Sequence, residues 1–177
     1  MTVDSRPAPA PVDTNLLRRT FGAFATGVTV VTVGGDRPHG MTANSFASVS
    51  LDPPLLLVCV DRNAAMHARL SETGVFGVSV LADSQQGLAR YFADRRRPTA
   101  AAQFEAVDWR PGARTGVPLI EGALAGFECE LWRAYDGGDH TIFLGRLLAL
   151  DGAADEDPLL FFRGGFLARP EPAELTA

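Results

Sequence analysis

The sequence predicts a mainly β protein, an antiparallel sheet of six or seven strands closed as a barrel or sandwich, with short flanking helices. Three observations carry this. Runs such as "GVTVVTV" (27–33) and "VFGVSVL" (75–81) are β-branched or alternate with period two. The two longest runs, 123–136 and 140–152, meet across Asp136-Gly137-Gly138-Asp139, a strong hairpin signal. Few connections are long enough for a βαβ crossover, so antiparallel closure is the natural architecture.

Taken in order, the Pro- and Ala-rich residues 1–13 read as a disordered or surface-draped tail. Asp13 or Thr14 can cap a helix in which Leu16, Leu17, Thr20, Phe21 and Phe24 recur at helical spacing. "GVTVVTV" is a strand, and "GGDRPHG" turns it into a second strand over 40–50. Pro53 and Pro54 cannot donate ladder hydrogen bonds, so they bound the next strand, "LLLVCVD". "NAAMHARLSETG" reads as a short helix with Asn63 as cap and Gly74 as stop. After the strand 75–81, "DSQQGLARYFA" reads as a second short helix capped by Asp83 or Ser84. Residues 94–122 are loop-rich, and Arg95–Arg97 is a solvated or partner-facing patch. The 123–152 hairpin and a final strand, "PLLFFRGGF", complete a single domain over 14–168, with 169–177 as a C-terminal tail.

Composition narrows the function classes. The chain has 177 residues, 46% hydrophobic and 21% charged, enough apolar material for one core. Its net charge is −5, and Arg supplies all 16 cationic residues; this mild acidity argues against the basic face that a nucleic-acid partner needs. No signal peptide is recognisable, and the longest apolar run, Leu55–Val60, is too short to span a membrane. Cys59 and Cys129 sit in apolar strand-like runs without a CxxC, as expected of reduced thiols in a cytoplasmic protein.

Several common sites are missing. "GAFATG" (22–27) has the glycine spacing of a phosphate loop, but Val28 stands where Lys is required. There is no GxGxxG or GxSxG. His39, His67 and His140 lie far apart without clustered carboxylates, so no metal site is expected.

What remains is the stretch "GMTANSFASVS" (40–50). Read as one strand, it places Thr42, Asn44, Ser48 and Ser50 on one face, with the small Ala43, Ser45, Ala47 and Val49 on the other. Neutral donors with small neighbours let a flat, polar-edged ligand approach the main chain, with phosphate at the hydroxyls of 48 and 50. A solvent-facing strand rich in Ser and Thr has the same pattern, so the residues alone leave both readings open.

"FATGVTVVTV…GMTANSFASVSLDPPLLLVCVD", "GVFGVSVL", "LARYFA", "TGVPLIEGALAGFECEL" and "GGDHTIFLG" together resemble, in order, the motifs of the flavin reductase family. The resemblance spans about residues 14–168. It implies an FMN-binding split barrel, a homodimer, and service as the reductase component of a two-component flavin-dependent monooxygenase. The implied chemistry is direct hydride transfer from NADH or NADPH to FMN or FAD, for which the protein need supply no nucleophile.

By the same resemblance, Thr42, Ala43, Asn44 and Ser45 run along the isoalloxazine and ribityl groups, and Ser48, Val49 and Ser50 meet the phosphate region. Cys59 approaches the flavin from the neighbouring strand. Asn63, Ala64 and Ala65 offer backbone N–H groups to phosphate, and His67 adds a donor. Phe92 and Phe166 border the rings, and His140, in "GDH", faces the nicotinamide. The alternative implied function is a non-catalytic split barrel that holds flavin or haem. One departure is "RGGF": Gly165 stands where the family often carries a polar or basic residue, which leaves the choice of NADH or NADPH open.

Overall fold

A computed structural model describes residues 13–152 and 155–167. Of the expected tails 1–13 and 169–177, residues 1–12 and 169–177 lie outside the described residues, as does the domain boundary at 168. The helices are α1 (Thr14–Phe21), α2 (Ala65–Thr73) and α3 (Gln86–Ala93). The strands are β1 (Thr26–Gly27), β2 (Thr29–Val33), β3 (His39–Ala43), β4 (Ala47–Leu51), β5 (Pro54–Asp61) and β6 (Val75–Val80). They continue as β7 (Trp109–Pro111), β8 (Pro118–Ile120), β9 (Ala125–Gly137), β10 (His140–Gly152), β11 (Leu160–Phe162) and β12 (Gly165–Phe166).

Seven strands pair antiparallel in the order β3-β2-β6-β9-β10-β5-β4. The two edge strands, β3 and β4, are consecutive in the chain, so residues 44–46 bridge the ends of the sheet and its curl is split between them. Core side chains fill the inside of the curl: Val31, Val58, Val60, Phe76, Val78 and Phe143, closed at one end by Met66 and Leu70 of α2. A second cluster packs Val28, Val30 and Leu81 under Ala89 and Phe92 of α3, with Phe104 and Leu159. β2 separates the two clusters, so all five of its residues are buried. This is why "TVVTV" does not alternate with polar residues.

The mainly β, antiparallel class is borne out, with differences at several elements. The expected strand over 40–50 is two strands on opposite edges of the sheet. Its break has a visible cause. The Ser45 hydroxyl accepts from the Cys59 N–H at 3.0 Å and donates to the Cys59 carbonyl at 2.9 Å, stitching the crossover to β5 in place of ladder pairing. A bulge then falls between Ser48 and Ser50, which oppose Leu56 and Leu55. Opposed residues share a face and adjacent residues do not, so Ser48 and Ser50 point to opposite sides rather than to one phosphate.

The helix caps also differ. Asp13 does cap α1, accepting from Asn15 N at 2.8 Å. α2, however, begins after Ala64 with no side-chain cap, because Asn63 sits in a turn where its N–H donates to the Asp61 carboxylate at 2.7 Å. Gly74 stops the helix at φ 65°, where glycine is unstrained. Asp83 and Ser84 belong to a 3₁₀ turn over Asp83–Gln85, and α3 starts after Gln85. The loop-rich segment holds a 3₁₀ turn over Ala100–Phe104 and the β7–β8 hairpin. The final strand is a hairpin, β11–β12, reversed at Arg163-Gly164 and paired to β1.

Candidate functional site

A cleft of about 430 Å³ opens where β3, the end of β5, the start of α2 and the loop after α3 converge. Its floor is Met41 and Thr42, and one wall is Asn63, Ala64, Ala65 and Met66. The other wall is Phe92 with Arg95, Arg97 and His39. No side chain caps α2, so its positive end faces the cleft with the N–H groups of Ala65 and Met66 uncovered; of the expected backbone donors, Asn63 and Ala64 are instead bonded to Asp61.

Within this wall Arg97 is held by several bonds. The Arg97 guanidinium donates to the Asp94 carbonyl at 2.8 Å and to the Gly40 carbonyl, and it meets His39 Nε2 at 3.2 Å. Burial, then the charges of Arg97 and Arg69, push His39 down to about 4, so at neutral pH it is an uncharged acceptor for Arg97. Arg97 Nε is buried with no acceptor among the described residues. Gln103, fully buried, clips this loop to β3 by accepting from Gly40 N and donating to the carbonyls of Pro38 and Ala100, each at 2.9 Å.

Beside the cleft lies the β9–β10 turn. His140 opposes Asp61, so the two share the outward face of the sheet, and Asp61 lines the cleft. His140 Nδ1 lies 2.7 Å from Asp139 Oδ1. The hydrogen bond and charge from His140 hold the Asp139 carboxyl below the usual carboxylate range. The turn is tied back to the cleft wall by Arg62, whose backbone N–H donates to the Asp139 carbonyl at 3.0 Å.

The structure thus brings Thr42, Asn63, Ala64, Ala65 and Phe92 together and sets His140 next to them. Ala43 is buried, and Asn44 lies exposed on the crossover. Ser45 and Cys59 bond each other, and burial raises the Cys59 thiol. The Thr42 hydroxyl donates to the Ala89 carbonyl at 2.7 Å, which leaves its lone pairs facing outward.

Other expected residues stand elsewhere. Ser48, Val49 and Ser50 lie on edge strand β4, away from the cleft lining. His67 bonds Thr141 Oγ1 at 2.8 Å and packs its ring edge on Phe143, a satisfied structural histidine. Phe92 is 1% exposed and serves the second core as much as the cleft. Phe166 packs on Phe161 and under Arg90 in the β11–β12 hairpin.

Sequence reasoning missed His39, Met41, Asp61, Arg95 and Arg97. Of the expected arginine patch, Arg95 and Arg96 are exposed, Arg96 paired with Asp94 at 3.0 Å, while Arg97 is folded inward. The available signal was three arginines four residues or fewer beyond the helical "LARYFA", close enough to fold back over its end.

Residues 21–168 match the model of the flavin reductase like domain, and the chain belongs to that family. It is 54% identical over 156 residues to an NADH-dependent FAD reductase of Streptomyces globisporus, covering 88% of this chain and 86% of the relative. BorF, the flavin reductase component of a bacterial two-component tryptophan halogenase, superposes with a TM-score of 0.86 at 59% identity, covering 90% of this chain and all (100%) of BorF. The NADH:FAD oxidoreductase SgcE6 of Streptomyces globisporus C-1027, solved with NAD and FAD fragments, gives a TM-score of 0.86 at 49% identity. That match covers 96% of this chain and 100% of SgcE6.

The cleft's own chemistry fits a flavin nucleotide. Uncapped N–H groups and the buried, unpaired Arg97 Nε–H suit phosphate oxygens, while Thr42 and the small Ala64 and Ala65 leave room for a flat group.

Proposed function

We propose that the cleft and the 136–140 turn form one site for a flavin and a reduced nicotinamide. The chain is an NADH-dependent flavin reductase that delivers reduced FAD or FMN to a flavin-dependent monooxygenase. Bound together, the two coenzymes supply the redox chemistry themselves, as a hydride passes from the nicotinamide to the flavin. The protein's task is to hold two planar groups in register and to exclude competing geometries.

The observation that supports this site is the register pair Asp61–His140. It sets an imidazole at the end of the phosphate-suited cleft without placing any nucleophile there. In this reading the N–H groups of Ala65 and Met66 and the Arg95 and Arg97 charges hold phosphate, since those of Asn63 and Ala64 are taken by Asp61. Thr42, Ala43 and Asn44 border the flavin ring, and His140 orients the nicotinamide carboxamide. Cys59 lies behind Ser45 at the ring's edge, and Phe166 is left as a support for α3.

The same reading includes a homodimer. The outward face of β9, β10, β5 and β4 carries Tyr135, Ile142, Leu144, Leu57 and Leu55, and Leu51 at its rim is 95% exposed. A contiguous apolar face of this kind on a sheet fits a second copy. No helix among the described residues is long and apolar enough to cross a membrane, and the proposed location is the cytoplasm.

The test is anaerobic stopped-flow with NADH or NADPH, following flavin absorbance with FMN and FAD in turn. Bleaching with NADH is the expected result, and the faster flavin identifies the preferred substrate. Stable flavin colour with both nicotinamides would overturn the reductase reading in favour of a flavin-holding protein.

A further inference from the structure

We propose that Arg62 is a positioning residue for the nicotinamide half of the site, setting where His140 stands relative to the cleft. The proposal rests on the reading of His140 given above. Arg62 lies between Asp61 and Asn63, both of which line the cleft, yet its side chain turns toward the β9–β10 hairpin. Nε donates to the Gly138 carbonyl at 3.0 Å, and Nη2 meets Asp136 Oδ1 at 2.9 Å. With its backbone N–H on the Asp139 carbonyl, one residue holds Asp136, Gly138 and Asp139 of the tip that leads into His140.

The tip needs such a hold. Gly137 and Gly138 are free of Cβ restriction, Gly138 adopts φ 80°, and the Asp136 and Asp139 side chains are exposed. Within the tip itself, beyond the ladder pair His140–Gly137 that closes the turn, the Gly138 N to Asp136 Oδ1 bond of 2.9 Å ties Gly138 back to β9. The Arg62 bonds refer the tip's position to the end of β5, the chain segment that also builds the cleft wall. The guanidinium thereby adds a side-chain tie to the ladder pairing of His140 with Asp61, and the two together set the distance between the ligands' sites.

An exposed ion pair contributes little to stability, whereas displacing a reacting group by about 1 Å can cost on the order of 100-fold in rate. Arg62 therefore matters to turnover more than to folding. This separates it from a purely structural salt bridge.

The experiment compares wild type, Arg62→Ala, Arg62→Lys, His140→Ala and the Arg62→Ala/His140→Ala double variant. Flavin affinity is read by fluorescence, and NADH binding and flavin reduction by anaerobic stopped-flow. Arg62→Ala is expected to keep its melting temperature and to hold flavin within about twofold of wild type, with flavin reduction about tenfold slower. Arg62→Lys, which keeps the charge but loses the planar fork, recovers part of that loss. The double variant is expected to be no slower than His140→Ala, since Arg62 acts through His140.

Unchanged reduction in Arg62→Ala overturns the proposal, as do fully additive losses in the double variant or a parallel loss of flavin affinity. If His140→Ala is itself neutral, the reading of His140 fails and the proposal fails with it; a slow His140→Ala beside a wild-type-like Arg62→Ala sinks the proposal alone. If Arg62→Ala does not fold, Asp136→Ala decides: it removes the acceptor that Nη2 meets on the tip, and a rate equal to wild type overturns the assignment.

Discussion

His140, His39 and Glu128 show how differently three ionisable side chains are used. His140 stands half-exposed at the site, so His140→Ala should raise the NADH KM or slow flavin reduction while flavin affinity stays near wild type. Loss of flavin affinity alone, by fluorescence titration, would move His140 out of the nicotinamide half. His39 is held neutral by burial and by Arg97, at about 4 against 6.5 unfolded. The unfolded chain therefore binds the extra proton first. The stability that the neutral form contributes is complete above about pH 6.5 and is lost as the pH falls toward 4. Thermal melts from pH 7 to 4 should show a decline that His39→Gln reduces. Glu128 is 3% exposed, and it accepts from Thr115 N at 2.6 Å, Thr115 Oγ1 at 2.7 Å and Arg114 N at 3.0 Å. Burial pushes its carboxyl up, but the bonds from Thr115, Arg114 and Ala113 more than offset this and hold it below the usual range. Glu128→Ala should cost about 3 kcal/mol in urea denaturation, because it orphans donors in the β7–β8 connection.

At the scale of elements, the cleft exists because three segments are pinned against one another. Gly40 has no room for a side chain: a Cβ there would lie 2.5 Å from the Phe92 ring. Gly40→Ala should therefore push α3 off β3, costing about 1–3 kcal/mol and widening the cleft between Thr42 and Phe92. A melt and a flavin titration together check this, since both should weaken. β4 depends in the same way on Ser45. Its two bonds to Cys59 hold the crossover that separates the sheet edges, so hydrogen exchange at Asn44–Ser48 should speed up in Ser45→Ala. The hairpin of β9 and β10 carries two bulges, one at Trp132 and one at Leu148. They bend the sheet so that Gly145 admits the Phe76 ring to the centre of the core.

For the whole molecule, the curled sheet has one face filled by its own core and another that no element among those described covers along β10 and β5. Leu144→Asp places a charge at the centre of that outer face without entering the core. Sedimentation velocity should give a dimer for the wild type and a monomer for Leu144→Asp. A wild-type monomer at micromolar concentration would remove the homodimer from the account. The cysteines are consistent with the same division of faces. Cys59 points outward on β5, and Cys129 points inward on β9 with its thiol pushed up to about 12 by burial and by Glu128. β10 runs between them, so they cannot form a disulfide.

Much of this protein was legible from local chemistry. The β-branched runs, the Gly-Gly turn before His140 and the αL glycine after α2 each determine an element from a few adjacent residues, because sterics and turn geometry act over that range. The ordered motifs across residues 14–168 were enough to identify the family. What the chain could not disclose was decided by partners distant in sequence. Ser45 breaks its strand because Cys59 lies 14 residues on in the chain but beside it in space. Ser48 and Ser50 part company through a bulge that exists only against Leu55 and Leu56. Arg97 becomes a cleft wall because the Gly40 carbonyl and His39, 57 and 58 residues away, are there to receive it. Hydrogen bonds and burial are satisfied between whichever groups the fold makes neighbours, so the roles of these side chains belong to the tertiary structure.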